Sequence, residues 1–329
     1  MTSTEGKCDM SQATTEPVRT AATVHKRLTL WKRLRTGQLT KRQLGILLCL
    51  PAMIMVLGVV GYPLLYSIYI TFHKMNFTRA DVGPQFVGLQ NYIRVFQKPD
   101  FWRAFLRSSL FVVYDLLAGM PVGLAIALLL NQRFRLRGLA RATILLPYVL
   151  SGTVLGLIWK WIYNPNHGAL NALFQQLGLI SDYVAWLAEP RRALHMVILV
   201  NLWQGTPWVI IMYLAGLQSI PEELYDAAKV DGASSWQTLF KVILPLLNPI
   251  TLAMLVLKTV WTFQVFDIVW VLTRGGPASA TQVVSYFIYY SSFFQLKFGY
   301  AAAMSYVVLG IVLVLVVIYY RLIQHEAVY

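Results

Sequence analysis

Six apolar runs decide what this chain can fold into: residues 44–72, 105–131, 140–163, 194–218, 246–273 and 299–323. A helix rises 1.5 Å per residue, so about 20 apolar residues cross the hydrocarbon core of a bilayer. Backbone groups in lipid have no water to bond, which leaves helices as the spanning solution for runs of this kind. The expectation is an all-α polytopic membrane protein with six transmembrane helices. Composition agrees, with 57% hydrophobic and only 13% charged residues, which excludes both an ordinary soluble enzyme and a disordered scaffold.

The net charge of +14 would suit nucleic acid, but its placement does not. Basic residues gather at the edges of the apolar runs and in residues 1–43, which carry nine Lys or Arg. That pattern fits orientation against an anionic membrane, with lipid and not nucleic acid as the partner. Sixteen Lys or Arg fall on the side of the tail and ten on the other, so the charge rule puts both termini in the cytoplasm. Residues 1–43 are expected to be a basic cytoplasmic tail without fixed structure, with His25–Arg42 an alternative interfacial helix through Leu28, Leu30, Trp31 and Leu34. Residues 44–325 form the transmembrane domain, and 326–329 the C-terminal end. The triplet Asn76-Phe77-Thr78 matches a glycosylation sequon and carries no weight. Cys8 and Cys49 make no disulfide framework, and the five histidines lack metal-ligand spacing.

On the opposite side, Phe86–Tyr92 reads as folded against the membrane surface. The aromatic run Tyr286–Phe294 reads as interfacial, and the Trp and Tyr residues near 159–163 and 286–290 as a lipid-interface belt. Prolines 51, 63, 121, 147 and 207 predict kinked helices around a cavity.

The loop between the fourth and fifth runs, 219–245, is long and patterned. Ser219 and Glu222 have capping-box spacing, and Glu222 and Glu223 suit a helix N-terminus. Gly232 then ends the first helix. Ser234 and Gln237 open a second, which Pro245 is expected to close. Such a helix pair on a membrane face suggests a docking partner, although packing on its own bundle would also occupy it.

Asp226-Ala227-Ala228, then Asp231-Gly232-Ala233, then Val242-Ile243-Leu244-Pro245 resembles the EAA loop of ABC importer membrane subunits, with Asp226 where that motif usually has Glu. The Phe86–Tyr92 segment, Trp159–Asn164, and Phe266-Asp267 through Gly275-Gly276-Pro277 are similar to the carbohydrate-uptake branch. The resemblance implies the type I importer architecture in a bacterial inner membrane. It also implies the partners: a second homologous permease, two copies of a cytoplasmic ATPase and an external solute-binding protein. Glu223, Asp226, Ala227, Ala228, Asp231, Gly232, Ala233, Leu244 and Pro245 would couple to the ATPase. This chain has no Gly-x4-Gly-Lys-Ser/Thr sequence, so ATP and Mg would be used by the partner and no cofactor is expected here.

Polar residues within apolar runs are functional candidates by default, with interhelical hydrogen bonds as the structural alternative. Asp115, Trp203, Gln204, Lys258, Trp261, Gln264 and Asp267 are the candidates for a sugar path, combining polar groups with aromatic faces. Gln264 and Asp267, three apart, would share a helix face. An ion-coupled secondary transporter would favour repeats and clustered intramembrane carboxylates, whereas Asp115 and Asp267 read as isolated. A membrane enzyme would need a His, Ser or carboxylate constellation, and none is evident.

Overall fold

The computed structural model describes residues 41–75, 83–132 and 134–324. The expected tail and its alternative helix (through residue 40), the sequon and the C-terminal end 326–329 lie outside these. The chain divides into two units, Met1–Tyr62 and Pro63–Tyr329. The first is helix α1, Lys41–Val56, followed by a π-helical turn, Leu57–Gly61.

Helix α2, Tyr62–Thr71, starts at the last residue of the first unit and is the end of a candidate span over Leu44–Thr71. A two-residue hairpin follows, β1 (His73–Lys74) antiparallel to β2 (Gln85–Phe86), then the short helix α3, Gln90–Gln97. The second span is Pro99–Asn131, built of α4 (Pro99–Tyr114), a π turn (Asp115–Gly119) and α5 (Met120–Asn131). Next come α6 (Arg137–Val149), α7 (Gly152–Ile162), α8 (Ala169–Gln176) and the long α9 (Pro190–Ser219). The loop helix α10, Glu222–Val230, leads into α11 (Ser235–Thr238), a π turn (Leu239–Ile243) and α12 (Leu244–Phe263). The chain ends through α13 (Asp267–Leu272), α14 (Val284–Tyr289), a π turn (Tyr290–Phe294) and α15 (Phe298–Gln324).

Five of the expected spans are helical stretches long and apolar enough to cross a membrane, the one over Ser235–Leu272 interrupted at residues 264–266. The 140–163 run is not straight: α6 and α7 meet at a bend of 99°. Its cause is local. Leu150 and Ser151 are extended, and the Ser151 hydroxyl accepts from the Val154 N–H to begin a new helix. A Ser N-cap in the middle of an apolar run thus overrides its length.

Three prolines follow π turns without ending their helices. Pro63, Pro121 and Pro245 each stand two residues beyond a π turn, whose last bond runs from Tyr62 to Leu57, Met120 to Asp115 and Leu244 to Leu239. Proline lacks an N–H and its ring crowds the carbonyl four residues back; a widened turn makes room for it. Pro245 therefore does not close the second loop helix, which runs on into the fifth span over Ser235–Leu272.

Within the second unit, α9 packs on α5 and α6, α7 on α13, and α15 on α3 and α12. The approach of α5 to α9 is close enough that a Cβ on Gly123 would come 2.6 Å from Val209 Cγ1, as small residues allow between membrane helices. Phe86–Tyr92 is folded as expected: the Asn91 amide is buried and donates to the carbonyls of Thr71 (2.8 Å) and His73 (3.0 Å). The aromatic belt is corrected in part. Trp161 is exposed, but Tyr163, Tyr286 and Phe287 are buried in protein, with the Tyr163 hydroxyl bonded to the Met196 carbonyl at 3.2 Å. Buried phenols need such a partner, which residues facing lipid do not supply.

Candidate functional site

The 219–245 loop is a helix pair held by its own caps. The first box expected there is absent. Pro221 occupies the N-cap of α10, and the Ser219 hydroxyl donates backward to Gly216 at 2.8 Å. The C-terminus of α10 is firmer: the Gly232 N–H reaches the Lys229 carbonyl (3.1 Å) and the Ala233 N–H the Ala228 carbonyl (2.9 Å). These two bonds are the Schellman arrangement, which requires a left-handed residue. Gly232 supplies it with φ of 74°. At the start of α11, Ser234 and Gln237 satisfy each other's backbone N–H groups at 2.8 and 3.3 Å, the reciprocal box read from the sequence.

Between the two helices lies an open groove of about 480 Å³ lined by Leu224, Ala227, Ala228, Asp231, Gly232, Ala233, Gln237, Lys241 and Val242. Ala227, Ala228, Asp231, Gly232 and Ala233 are thus brought to one concave surface. Glu223 and Asp226 are exposed on α10 but outside it. The Asp226 carboxylate accepts from Lys229 Nζ at 2.9 Å and raises the ammonium's pKa. Leu244 and Pro245 stand past the π turn, in the first turn of α12, and do not line the groove. The sequence reading missed Gln237, Lys241 and Val242 as groove residues. It also missed Trp236 and Phe240, stacked at 5.9 Å and exposed by 71% and 60%. Their i,i+4 spacing beside a polar cap was the available signal.

Behind α10 lies a second cavity, of about 800 Å³, that reaches the start of α6. Gln218, with its amide oxygen toward the guanidiniums, accepts from Arg137 Nη2 (3.1 Å) and Arg141 Nη2 (2.9 Å). The base of the loop is thereby tied to the start of the third span.

The polar residues of the spans do not form one constellation. Asp115 and Lys258 face each other: Lys258 Nζ lies 2.8 Å from Asp115 Oδ2, which also accepts from Thr262 Oγ1 at 2.6 Å. Both side chains are buried, at 1% and 6% exposure, so Asp115 is paired rather than isolated and Lys258 does not reach for an interface. Gln204 Nε2 donates to the Leu150 carbonyl at 3.1 Å, bonding the acceptor exposed by the bend. Trp203 stands edge-on to Trp159 at 5.5 Å, and Trp261 to Trp208 at 4.8 Å.

Gln264 and Asp267 do not share a helix face. α12 ends at Phe263, and Phe266 breaks the helix with φ −131° and ψ −54°. Asp267 instead lies against the first residue of α7, where a Cβ on Gly152 would come 3.2 Å from Asp267 Oδ2. A carboxylate there is favoured by the helix dipole. Trp261, Gln264 and Asp267 remain exposed.

A sequence profile described as binding-protein-dependent transport system inner membrane component matches residues 119–326. The trehalose/maltose transport system permease protein MalF of Thermococcus litoralis is 34% identical over 289 residues, 87% of this chain and 96% of that protein. The sulfoquinovosyl glycerol transport system permease protein SmoG of Agrobacterium fabrum is 31% identical over 309 residues, covering 94% and 99%. Among solved structures, a chain of a bacterial alginate ABC transporter, crystallised with an alginate pentasaccharide-bound periplasmic protein, superposes with a TM-score of 0.75. That match has 24% identity and covers 91% of this chain and 98% of that one.

Proposed function

Because this chain belongs to the family of binding-protein-dependent transport system inner membrane components, we propose that it is one permease of an ATP-driven importer of a sugar or sugar-like solute. It pairs with a second, homologous permease to form the path. An external solute-binding protein delivers the substrate, and two copies of an ATPase bind ATP and Mg on the cytoplasmic side. This chain hydrolyses nothing.

The observation that carries the reading is the capped groove between α10 and α11. Its rim is fixed by backbone bonds around Gly232 and by the Ser234–Gln237 box, so it presents a rigid surface before any partner arrives. Rigid docking surfaces lose little entropy on binding. Motion of the ATPase against this groove would pass to the spans by two routes: α11 is continuous with the fifth span, and Gln218 joins the base of α10 to α6. Coupling requires contacts that differ between two states, and a rigid lever joined to two spans is suited to that.

The sugar assignment is supported by the relatives' substrates and by exposed Trp203 and Trp261 beside polar Gln264 and Asp267. The charge distribution supports the cytoplasmic placement of both termini and of the loop. The test is uptake in proteoliposomes holding the full complex. ATP inside and binding protein plus sugar outside should give uptake, and an imposed proton or sodium gradient without ATP should give none. Uptake driven by the gradient alone would overturn the reading.

A further inference from the structure

On the face opposite the 219–245 loop, four cations gather around one small cavity. Lys74, Arg94, Lys98 and Lys297 line a space of about 240 Å³, with buried Asn91 and Tyr300 among its walls and no carboxylate among the described lining residues. Three different elements supply the charges: the β1 strand, α3, and the segment before α15. Like charges brought together repel one another, and with no carboxylate among the described lining residues the arrangement favours an anion.

The surroundings say which kind. Lys74 follows the first span by three residues, and Gly299 and Tyr300 belong to the first turn of the last span. The cavity therefore sits where hydrocarbon ends. Helix α3 has two opposed faces at this level: Asn91 and Val95 are buried in protein, while Leu89, Ile93 and Phe96 are exposed by 52–62%. Arg94 and Lys98, one turn apart, run along its edge. A helix with exposed apolar residues on one side and basic residues at its flank is built to lie in the bilayer interface. Lys98 Nζ also stands 5.9 Å over the Tyr300 ring, holding a cation at the cavity wall.

We propose that this cavity binds the phosphate headgroup of an anionic phospholipid, with the acyl chains lying along Leu89, Ile93 and Phe96. The single negative charge of the phosphodiester offsets part of the repulsion among the four cations, and α3 is thereby pinned to the membrane. The site is independent of the loop and of the transported solute.

Native mass spectrometry of the full-length chain, purified in mild detergent with whatever subunits accompany it, tests the proposal. The probes are phosphatidylglycerol, phosphatidylcholine and inorganic phosphate. Phosphatidylglycerol should be retained about tenfold over phosphatidylcholine, as expected for several basic residues at an anionic headgroup. The triple variant Lys74→Gln/Lys98→Gln/Lys297→Gln changes only exposed side chains and should erase that preference. Ile93→Ser/Phe96→Ser should weaken both lipids alike. Unchanged preference in the triple variant would overturn the proposal. So would displacement of phosphatidylglycerol by millimolar inorganic phosphate, which would make the ligand a free anion. Loss of external binding-protein association in the triple variant, with lipid retention unchanged, would overturn it in favour of an acidic protein surface.

Discussion

Lys258 Nζ and Asp115 Oδ2 lie 2.8 Å apart, in different spans and with almost no exposed surface. Thr262, one turn beyond Lys258, adds a hydroxyl donor at 2.6 Å to the same oxygen. An ion pair in such a place is costly to form but costlier to break, because removing one partner strands the other charge. It serves here as a clasp between the second and fifth spans. Those two residues are held by each other and by Thr262, which argues for a structural part in the transport path rather than direct contact with solute.

Asp115→Asn and Lys258→Met, each alone, should therefore destabilise the protein by about 3–5 kcal/mol. The double variant should recover most of that loss. Thermal denaturation followed by size-exclusion chromatography in detergent reads both. Additive losses in the double variant would show that the two side chains act separately.

Gly205 provides a second probe of the same clasp. A Cβ there would come 2.5 Å from Lys258 Nζ, so Gly205→Ala should push the ammonium off Asp115 and cost about 1–3 kcal/mol. In a Lys258→Met background the same substitution should cost much less, since contacting residues are not additive. Equal cost in both backgrounds would place the strain elsewhere.

At the bend of the third span, Gln204→Ala should remove the donor to Leu150 and lower stability by about 1–2 kcal/mol. Apparent transport affinity should stay unchanged in that variant. A large rise in the transport KM with wild-type stability would instead make Gln204 a solute ligand.

How much of this was legible beforehand follows the range of each interaction. The Ser234–Gln237 box and the Gly232 terminus could be read because every partner lies within five residues. The Asp115–Lys258 pair could not, since helical periodicity says which face a residue takes but not which helix it meets. The bend at Leu150–Ser151 was signalled by a Ser N-cap, and a hydropathy window averages such a signal away. Ser219 failed as a cap because it is still the last residue of α9, and the chain turns extended only at Ile220, ahead of Pro221. The shared face expected for Gln264 and Asp267 presumed an unbroken helix, and Phe266 breaks it.

On the loop itself, Gly232→Ala meets open space on all sides, so its cost should be the left-handed backbone alone, about 1–2 kcal/mol. Gly232→Asn should be milder than Gly232→Val, because a short amide tolerates that backbone and a β-branched chain does not. Stimulation of ATPase activity by sugar-loaded binding protein should fall in the same order. Equal effects for all three variants would mean that the backbone at 232 does not shape the docking surface.

Asp267→Asn and Gln264→Ala test the exposed end of the fifth span. Each should shift the transport KM for sugar without releasing the ATPase from the complex. Wild-type kinetics in both variants would make these residues structural.

In the proposed importer, the groove between α10 and α11 seats an ATPase. The most direct measurement is affinity purification of the tagged chain from mild detergent, as wild type and as Gly232→Pro, with mass spectrometry of what accompanies each. A second six-span permease and a Walker-motif ATPase should accompany the wild type. The variant should insert in the membrane and keep the second permease, but lose the ATPase. Recovery of the ATPase at wild-type stoichiometry with Gly232→Pro, or of no ATPase with the wild type, would contradict that seating.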